Sequence, residues 1–179
     1  MTLLILADID DFHWPHGGGQ AELLLSCGDV ADQLVLEAAQ AYHCPRILAV
    51  KGNHDAAAAF ASPIEDLHLR VVEHGGLRIG GLNGCWKYKS RGAFLYDQAE
   101  AHRLLADFPP VDILLTHNSP RGIHDREDGV HQGFDALTDY IHWAEPKLVI
   151  HGHQHQNRET QVGRTMVTGV YGHRLIRWS

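Results

Sequence analysis

The tetrapeptide Gly52-Asn53-His54-Asp55, just after the apolar run Ile47-Leu48-Ala49-Val50, constrains this chain more than any other stretch. A buried strand that ends in Gly, Asn, His and Asp sets three polar side chains at one strand-to-helix corner. In open α/β sheets ligands bind at such corners, beyond the carboxyl ends of the strands. Asn offers a neutral oxygen ligand, His moves a proton near neutral pH, and Asp can fix an imidazole tautomer.

The same arrangement recurs four times. Leu3–Ala7 runs into Asp8-Ile9-Asp10-Asp11, and Leu23–Cys27 into Gly28-Asp29-Val30-Ala31-Asp32. Val111–Leu115 runs into Thr116-His117-Asn118-Ser119-Pro120, and Leu148–Ile150 into His151-Gly152-His153-Gln154-His155. Continuous apolar runs of this length mark strands buried on both faces. A helical period predicts helices from Asp32 to about Tyr42, from Asp97 to about Phe108 and from about Phe134 to Trp143, with a short one in Ala56–Ala61. Leu69–Val72 and Leu77–Leu82 flank a Gly75-Gly76 turn, and the tail breaks into short strands at Thr160–Val162, Thr165–Val167 and Arg174–Ile176. The alternation is that of a layered α/β fold. With 179 residues and neither repeat nor linker, residues 1–179 read as a single domain.

A net charge of −7 speaks against sequence-blind binding to long nucleic acid, and leaves room for a nucleotide or a short strand. Cys27, Cys44 and Cys85 show no paired spacing, which reads as reduced thiols. The apolar opening is too short for a signal peptide or a membrane span, so a cytoplasmic location without membrane contact is expected. Fifteen histidines are the outlier, and imidazole is the commonest metal-ligand side chain.

Asp8 and Asp10 share a face if the chain stays extended, and two carboxylates on one face repel unless a cation lies between them. Gathered at one rim of a sheet, Asp8, Asp10, Asp29, Asn53, His54, His117, His153 and His155 mix carboxylate, amide and imidazole. That set suits two divalent cations, manganese first, with iron or zinc as alternatives. Two cations roughly 3.5–4 Å apart can share a hydroxide and clamp the oxygens of an in-line displacement at phosphorus.

The ordered motifs Asp8, Gly28-Asp29-Val30-Ala31-Asp32, Gly52-Asn53-His54-Asp55, Thr116-His117-Asn118-Ser119-Pro120 and Gly152-His153-Gln154-His155 resemble the calcineurin-like metallophosphoesterase superfamily, in its compact single-domain prokaryotic form. The resemblance implies a four-layer αββα sandwich, two mixed β-sheets flanked by helices. It also implies that Asp29 is shared by both metals, with Asp8 and His155 completing one site and Asn53, His117 and His153 the other. A metal-bridging hydroxide would be the nucleophile. His54 would be the general acid, with Asp55 holding its ring. The implied substrate is a phosphate ester, nucleotide-like or nucleic-acid in kind.

One position departs from the family pattern. Its first motif is normally Asp-x-His, and this chain has Asp8-Ile9-Asp10. Either Asp10 takes the ligand position, or His13 or His16 folds back to fill it. With Asp10, the ligand carboxylates are Asp8, Asp10 and Asp29, a charge of −3 in place of −2, so two divalent ions leave +1 in place of +2. That favours Mn over Zn and a phosphodiester over a dianionic monoester. The rival functions are a phosphomonoesterase or protein phosphatase, and a catalytically silent scaffold on the same fold. A metallo-β-lactamase-like hydrolase would need His-x-His-x-Asp-His, which is absent after His153.

Lys87, Arg91 and Arg121 are candidates for holding substrate phosphate, and Trp86 and Tyr88 for stacking or packing. His151 alternates with the two ligand histidines, which leaves open whether it faces metal or packs behind it. His124 and His131 with Asp125, Asp128 and Asp135 read either as another metal cluster or as a solvated loop.

Overall fold

Along the first strand, β1 (Thr2–Ala7), Leu3, Ile5 and Ala7 pack to one side and Leu4 and Leu6 to the other, and all five are fully buried. A strand with two dry faces must lie inside a layered structure. The computed structural model, which describes residues 1–178, shows those layers. In chain order β1 is followed by β2 (Leu23–Ser26), α1 (Asp32–Ala41), β3 (Ile47–Ala49), β4 (Glu65–Asp66), β5 (Val71–His74) and β6 (Leu77–Leu82). Then come β7 (Cys85–Trp86), β8 (Leu95–Tyr96), α2 (Gln98–Leu105), β9 (Ile113–Thr116), α3 (Asp135–Ala144), β10 (Leu148–His151), β11 (Arg158–Val162), β12 (Thr165–Gly169) and β13 (Gly172–Arg177).

Two mixed sheets result, ordered β13-β1-β2-β3-β4 and β11-β12-β10-β9-β6-β5, with β7 and β8 as a small separate pair. Leu3, Ile5, Leu23, Leu25, Leu48 and Val50 of the first sheet meet Ile79, Ile113, Leu115, Leu148 and Ile150 of the second in one dry layer. The opposite face of the first sheet carries Leu4, Leu6, Leu24 and Ala49 against Leu34, Val35, Ala38 and Ala39 of α1. Leu114 and Val149 turn outward onto α2 and α3. The order of layers is therefore helix, sheet, sheet, helices, as the family resemblance implied. The sheets β1-β2-β3 and β9-β10 are parallel, so the carboxyl ends of five strands open on one rim.

Asp97 caps α2 with a reciprocal capping box, accepting from the Glu100 N–H while the Glu100 carboxylate accepts from the Asp97 N–H. Residues 56–61 form no helix, contrary to expectation. Alanines favour helix, but one short turn must recover the cost of nucleation by burying a face, and Ala56–Ala59 lie exposed. The segment is pinned from outside: the Ala61 N–H donates to Asp32 at 2.6 Å, and Phe60 lies under the Lys51 ammonium. Asp32 thus belongs to the first turn of α1, whose N-cap is Ala31. Between β6 and α2, β7 pairs with β8 as a short parallel ladder. No described helix is long and apolar enough to cross a membrane, and the three cysteines are unpaired.

Candidate metal centre

Each of the five strand ends delivers its polar cluster to the rim. Asp8, Asp29, His153 and His155 all sit in the left-handed region, with φ of 54°, 54°, 64° and 50°. Non-glycine residues rarely adopt that conformation, and its cost is carried by surrounding contacts, most often at functional sites. The His153 N–H donates to Asp8 Oδ2 at 2.8 Å, which joins the two sheets, and the Gly152 N–H donates to the His117 carbonyl at 3.1 Å, which ties the ends of β10 and β9 within one sheet.

One oxygen each of Asp8 and Asp29 and one ring nitrogen of His117 lie within 4.8 Å of one another. His117 Nδ1–H donates to the Cys27 carbonyl at 2.8 Å, which aims Nε2 at Asp29 Oδ2 (3.3 Å) and Asn53 Oδ1 (3.1 Å). His153 is held in the complementary way. Its Nε2–H donates to the Val130 carbonyl at 3.3 Å, so its Nδ1 is the nitrogen left to bind a ligand. A carbonyl partner of this kind sets the tautomer and basicity of a metal-binding histidine. His155 Nε2 stands 3.5 Å from Asp8 Oδ1.

The electrostatics are those of a cation site. Burial pushes the Asp8 carboxyl above the usual range; the neighbouring His117 charge opposes this and Asp29 adds to it. Burial acts the same way on Asp29, but the His117 charge and hydrogen bond and the His54 N–H outweigh it and hold that carboxyl low. On His117 burial opposes protonation, yet Asp29 and Asp8 overcome it and lift the imidazolium up to about 9. A positive charge is thus stabilised at the point where Asp8, Asp29 and Asn53 meet. Asp8 Oδ1 is buried without a hydrogen-bond partner, a position in which a cation would satisfy it. Two glycines keep the space open. A Cβ on Gly52 would meet Asp29 Oδ1 at 2.1 Å and His117 Cε1 at 2.6 Å, and one on Gly152 would meet Asp8 Oδ2 at 2.6 Å. The residues present fit divalent metal.

The remaining site residues divide. His54 is exposed on a cleft of about 440 Å³ that it shares with Asp10, Asp11, Phe12, Asp29 and Lys51, and its main-chain N–H donates to Asp29 Oδ1 at 2.8 Å. Asp55 does not hold the His54 ring, as the resemblance had implied. Its Oδ2 accepts from the Gly52 N–H (2.7 Å) and the Asp29 N–H (2.8 Å), tying two ligand loops together. Asp10 is exposed on the cleft wall beside Asp29. His13 turns away to Glu37 of α1 (3.2 Å), and His16 packs at a tilt against His173 of β13 at 4.2 Å between ring centroids.

Of the three candidate phosphate-binding cations, Arg121 is paired with Asp125 (3.5 Å) and Glu127 (3.9 Å), and Lys87 reaches towards Glu100 of α2 (4.0 Å). Arg91 is exposed in the segment between β7 and β8. The structure does not bring these three together at the ligand cluster. Lys51 and the carbonyls of Cys27 and Val130 escaped the sequence reading as site groups. Tyr88 meets the Asn53 amide at 3.3 Å, where stacking or packing had been expected. Only Lys51 left a trace: a lysine set between a buried apolar run and Gly52.

His151 faces away from the ligands. Its Nδ1–H donates to the Gly152 carbonyl (2.9 Å), and its Nε2 accepts from His124, which in turn accepts from the Thr160 hydroxyl at 2.9 Å. Burial pushes His151 and His124 down to about 3 and about 4, so this buried chain is neutral. His131 pairs with Asp128 at 2.7 Å. The loop 123–133 therefore forms no separate metal cluster among the described residues. It supplies the Val130 carbonyl behind His153.

The calcineurin-like phosphoesterase superfamily domain matches residues 15–170. An uncharacterized protein of Haemophilus influenzae is 30% identical, over 76% of this chain and 70% of that one. Among solved structures, TT1561 of Thermus thermophilus aligns with a TM-score of 0.61 at 18% identity, covering 94% of this chain and 89% of the other. The phosphopantetheinyl hydrolase of Mycobacterium tuberculosis aligns with a TM-score of 0.59 at 14% identity, covering 96% and 89%. At such identities the structural likeness speaks for the fold alone. The family match takes in four of the five strand ends, and the chain belongs to the calcineurin-like phosphoesterase superfamily, whose members are metal-dependent phosphoric ester hydrolases.

Proposed function

We propose that the protein is a dinuclear metal-dependent phosphodiesterase acting on nucleotide-like or nucleic-acid esters. The observation that carries this reading is the buried, unpartnered Asp8 Oδ1 beside Asp29 and His117, with His54 on the adjoining cleft. Asp8, Asp10 and His155 would hold one cation and Asn53, His117 and His153 the other, with Asp29 shared. Asp10 takes the first-motif position because His13 and His16 are engaged elsewhere. When bound, such a pair of ions acidifies water and draws charge from phosphoryl oxygens.

The chain's own part is positional. Asp55 holds Gly52 and Asp29 in register, and Asp29 in turn holds the His54 main chain. His54 is thereby fixed on the open side of the cleft, where its imidazolium donates a proton to the departing oxygen. The −3 carboxylate set disfavours a dianionic monoester relative to a diester. Mn-loaded protein is therefore expected to cleave bis(p-nitrophenyl) phosphate with a higher kcat/KM than p-nitrophenyl phosphate. Cleavage of the monoester alone would instead identify a phosphomonoesterase, and no metal-dependent cleavage of either ester by folded protein would identify a silent scaffold.

A further inference from the structure

The cleft beside His54 contains one feature that the proposed chemistry has not used. Lys51 is 5% exposed, yet it lines that cleft together with Asp10, Asp29 and His54. Its ammonium lies 3.9 Å from the centroid of the Phe60 ring. Among the described residues no carboxylate forms an ion pair with it, although every other cation weighed for phosphate binding, apart from Arg91, has one. The stem is packed away while the ammonium, on the cleft and without a counter-ion, is open to an anion. The aromatic face positions the charge and leaves N–H donors for a ligand. The main chain holds the residue in place: the Lys51 N–H donates to Asn83 Oδ1 at 2.8 Å, and the Lys51 carbonyl accepts from Gly84 at 2.7 Å.

Lys51 and Asp10 line the same cleft, and their charges offset each other. Asp8, Asp10 and Asp29 give −3, two divalent ions give +4, and the balance is +1. Adding Lys51 brings it to +2, the balance expected with an imidazole in the position of Asp10. Resting on the phosphoesterase reading above, we propose that Lys51 is a substrate-contacting residue. Its ammonium meets a phosphoryl oxygen of the ester, offsets part of the charge that Asp10 removes, and extends the activity to phosphomonoesters beside the preferred diesters. The hydrolysis itself is unchanged: a bond forms from water oxygen to phosphorus, the bond from phosphorus to the ester oxygen breaks, that oxygen leaves as an alcohol with the proton from His54, and the proton released by the attacking water passes to solvent, from which His54 is reprotonated. What Lys51 alters is the preference for the second negative charge on a monoester.

The test compares wild type, Lys51→Met and Lys51→Arg in Mn-loaded protein. The methionine keeps an unbranched apolar stem against Phe60, and the arginine keeps the charge. For Lys51→Met, kcat/KM on p-nitrophenyl phosphate is expected to fall about 10-fold, mainly through KM, and on bis(p-nitrophenyl) phosphate by no more than about 3-fold, the range of one lost charged contact. Inorganic phosphate should bind about 10-fold more weakly by calorimetry, with manganese content unchanged, and Lys51→Arg should restore most of both. Equal losses on the two esters, or unaltered phosphate binding, would overturn the assignment. If wild type turns over neither ester, the phosphodiesterase reading fails. The phosphate titration of wild type against Lys51→Arg and Lys51→Met still decides whether Lys51 binds the anion.

Discussion

Gly52→Ala is expected to remove metal binding and turnover from a protein that still folds, without deleting any ligand. The added methyl would lie 2.1 Å from Asp29 Oδ1 and 2.6 Å from His117 Cε1, in the space between two of the proposed ligands. Neither neighbour can easily yield. Asp29 Oδ1 accepts from the His54 N–H at 2.8 Å, and the His117 ring is fully buried and anchored to Cys27. An overpacked site of this kind costs about 1–3 kcal/mol of stability. Displacing a reacting group by an ångström slows turnover roughly 100-fold. Metal content after dialysis and the rate on bis(p-nitrophenyl) phosphate check both effects. Gly17→Ala is the control, since nothing lies within 4 Å of its Cβ, and it should behave as wild type. A Gly52→Ala protein with full metal content and a normal rate would mean that the space between Asp29 and His117 is not where the chemistry occurs.

The second large effect concerns His54. His54→Ala is expected to slow cleavage about 10²–10⁴-fold for an ester with a poor leaving group, the usual contribution of a positioned general acid. The loss should shrink towards 10-fold or less for a nitrophenolate, which departs without needing a proton. Metal content should be unchanged, because His54 touches the ligand shell only through its main-chain N–H, which alanine retains. The measurement is a plot of rate against leaving-group basicity for wild type and variant. A parallel fall for all leaving groups, or loss of metal, would show that His54 orders the centre and does not donate the proton.

Much of this was legible in the residues because burial and polarity alternate so sharply. Runs such as Leu3–Ala7 and Leu148–Ile150 can only be interior strands, and the residues after each are polar enough to need a reason. The four-layer order came from the family resemblance, and the gathering of the strand ends comes directly from that pattern. Three features did not. Propensity suggested a helix in Ala56–Ala61, but no buried face was available to stabilise it. The resemblance had Asp55 hold the His54 ring, and its carboxylate instead accepts from the Gly52 N–H three residues back and from the Asp29 N–H of a loop far away in sequence. Exposed-looking cations at positions 87, 91 and 121 suggested a phosphate clamp, while the cation that reaches the cleft is the nearly buried Lys51. Each depends on what the folded chain sets around the residue, which local pattern cannot register.

Anomalous diffraction from manganese-soaked crystals tests the dinuclear centre most directly. Two peaks about 3.5–4 Å apart are expected. One should be held by Asp8, Asp10 and His155, the other by Asn53, His117 through Nε2 and His153 through Nδ1, with Asp29 touching both. A single peak elsewhere, or His13 or His16 on the metal with Asp10 turned away, would contradict the ligand set from which the chemistry was built.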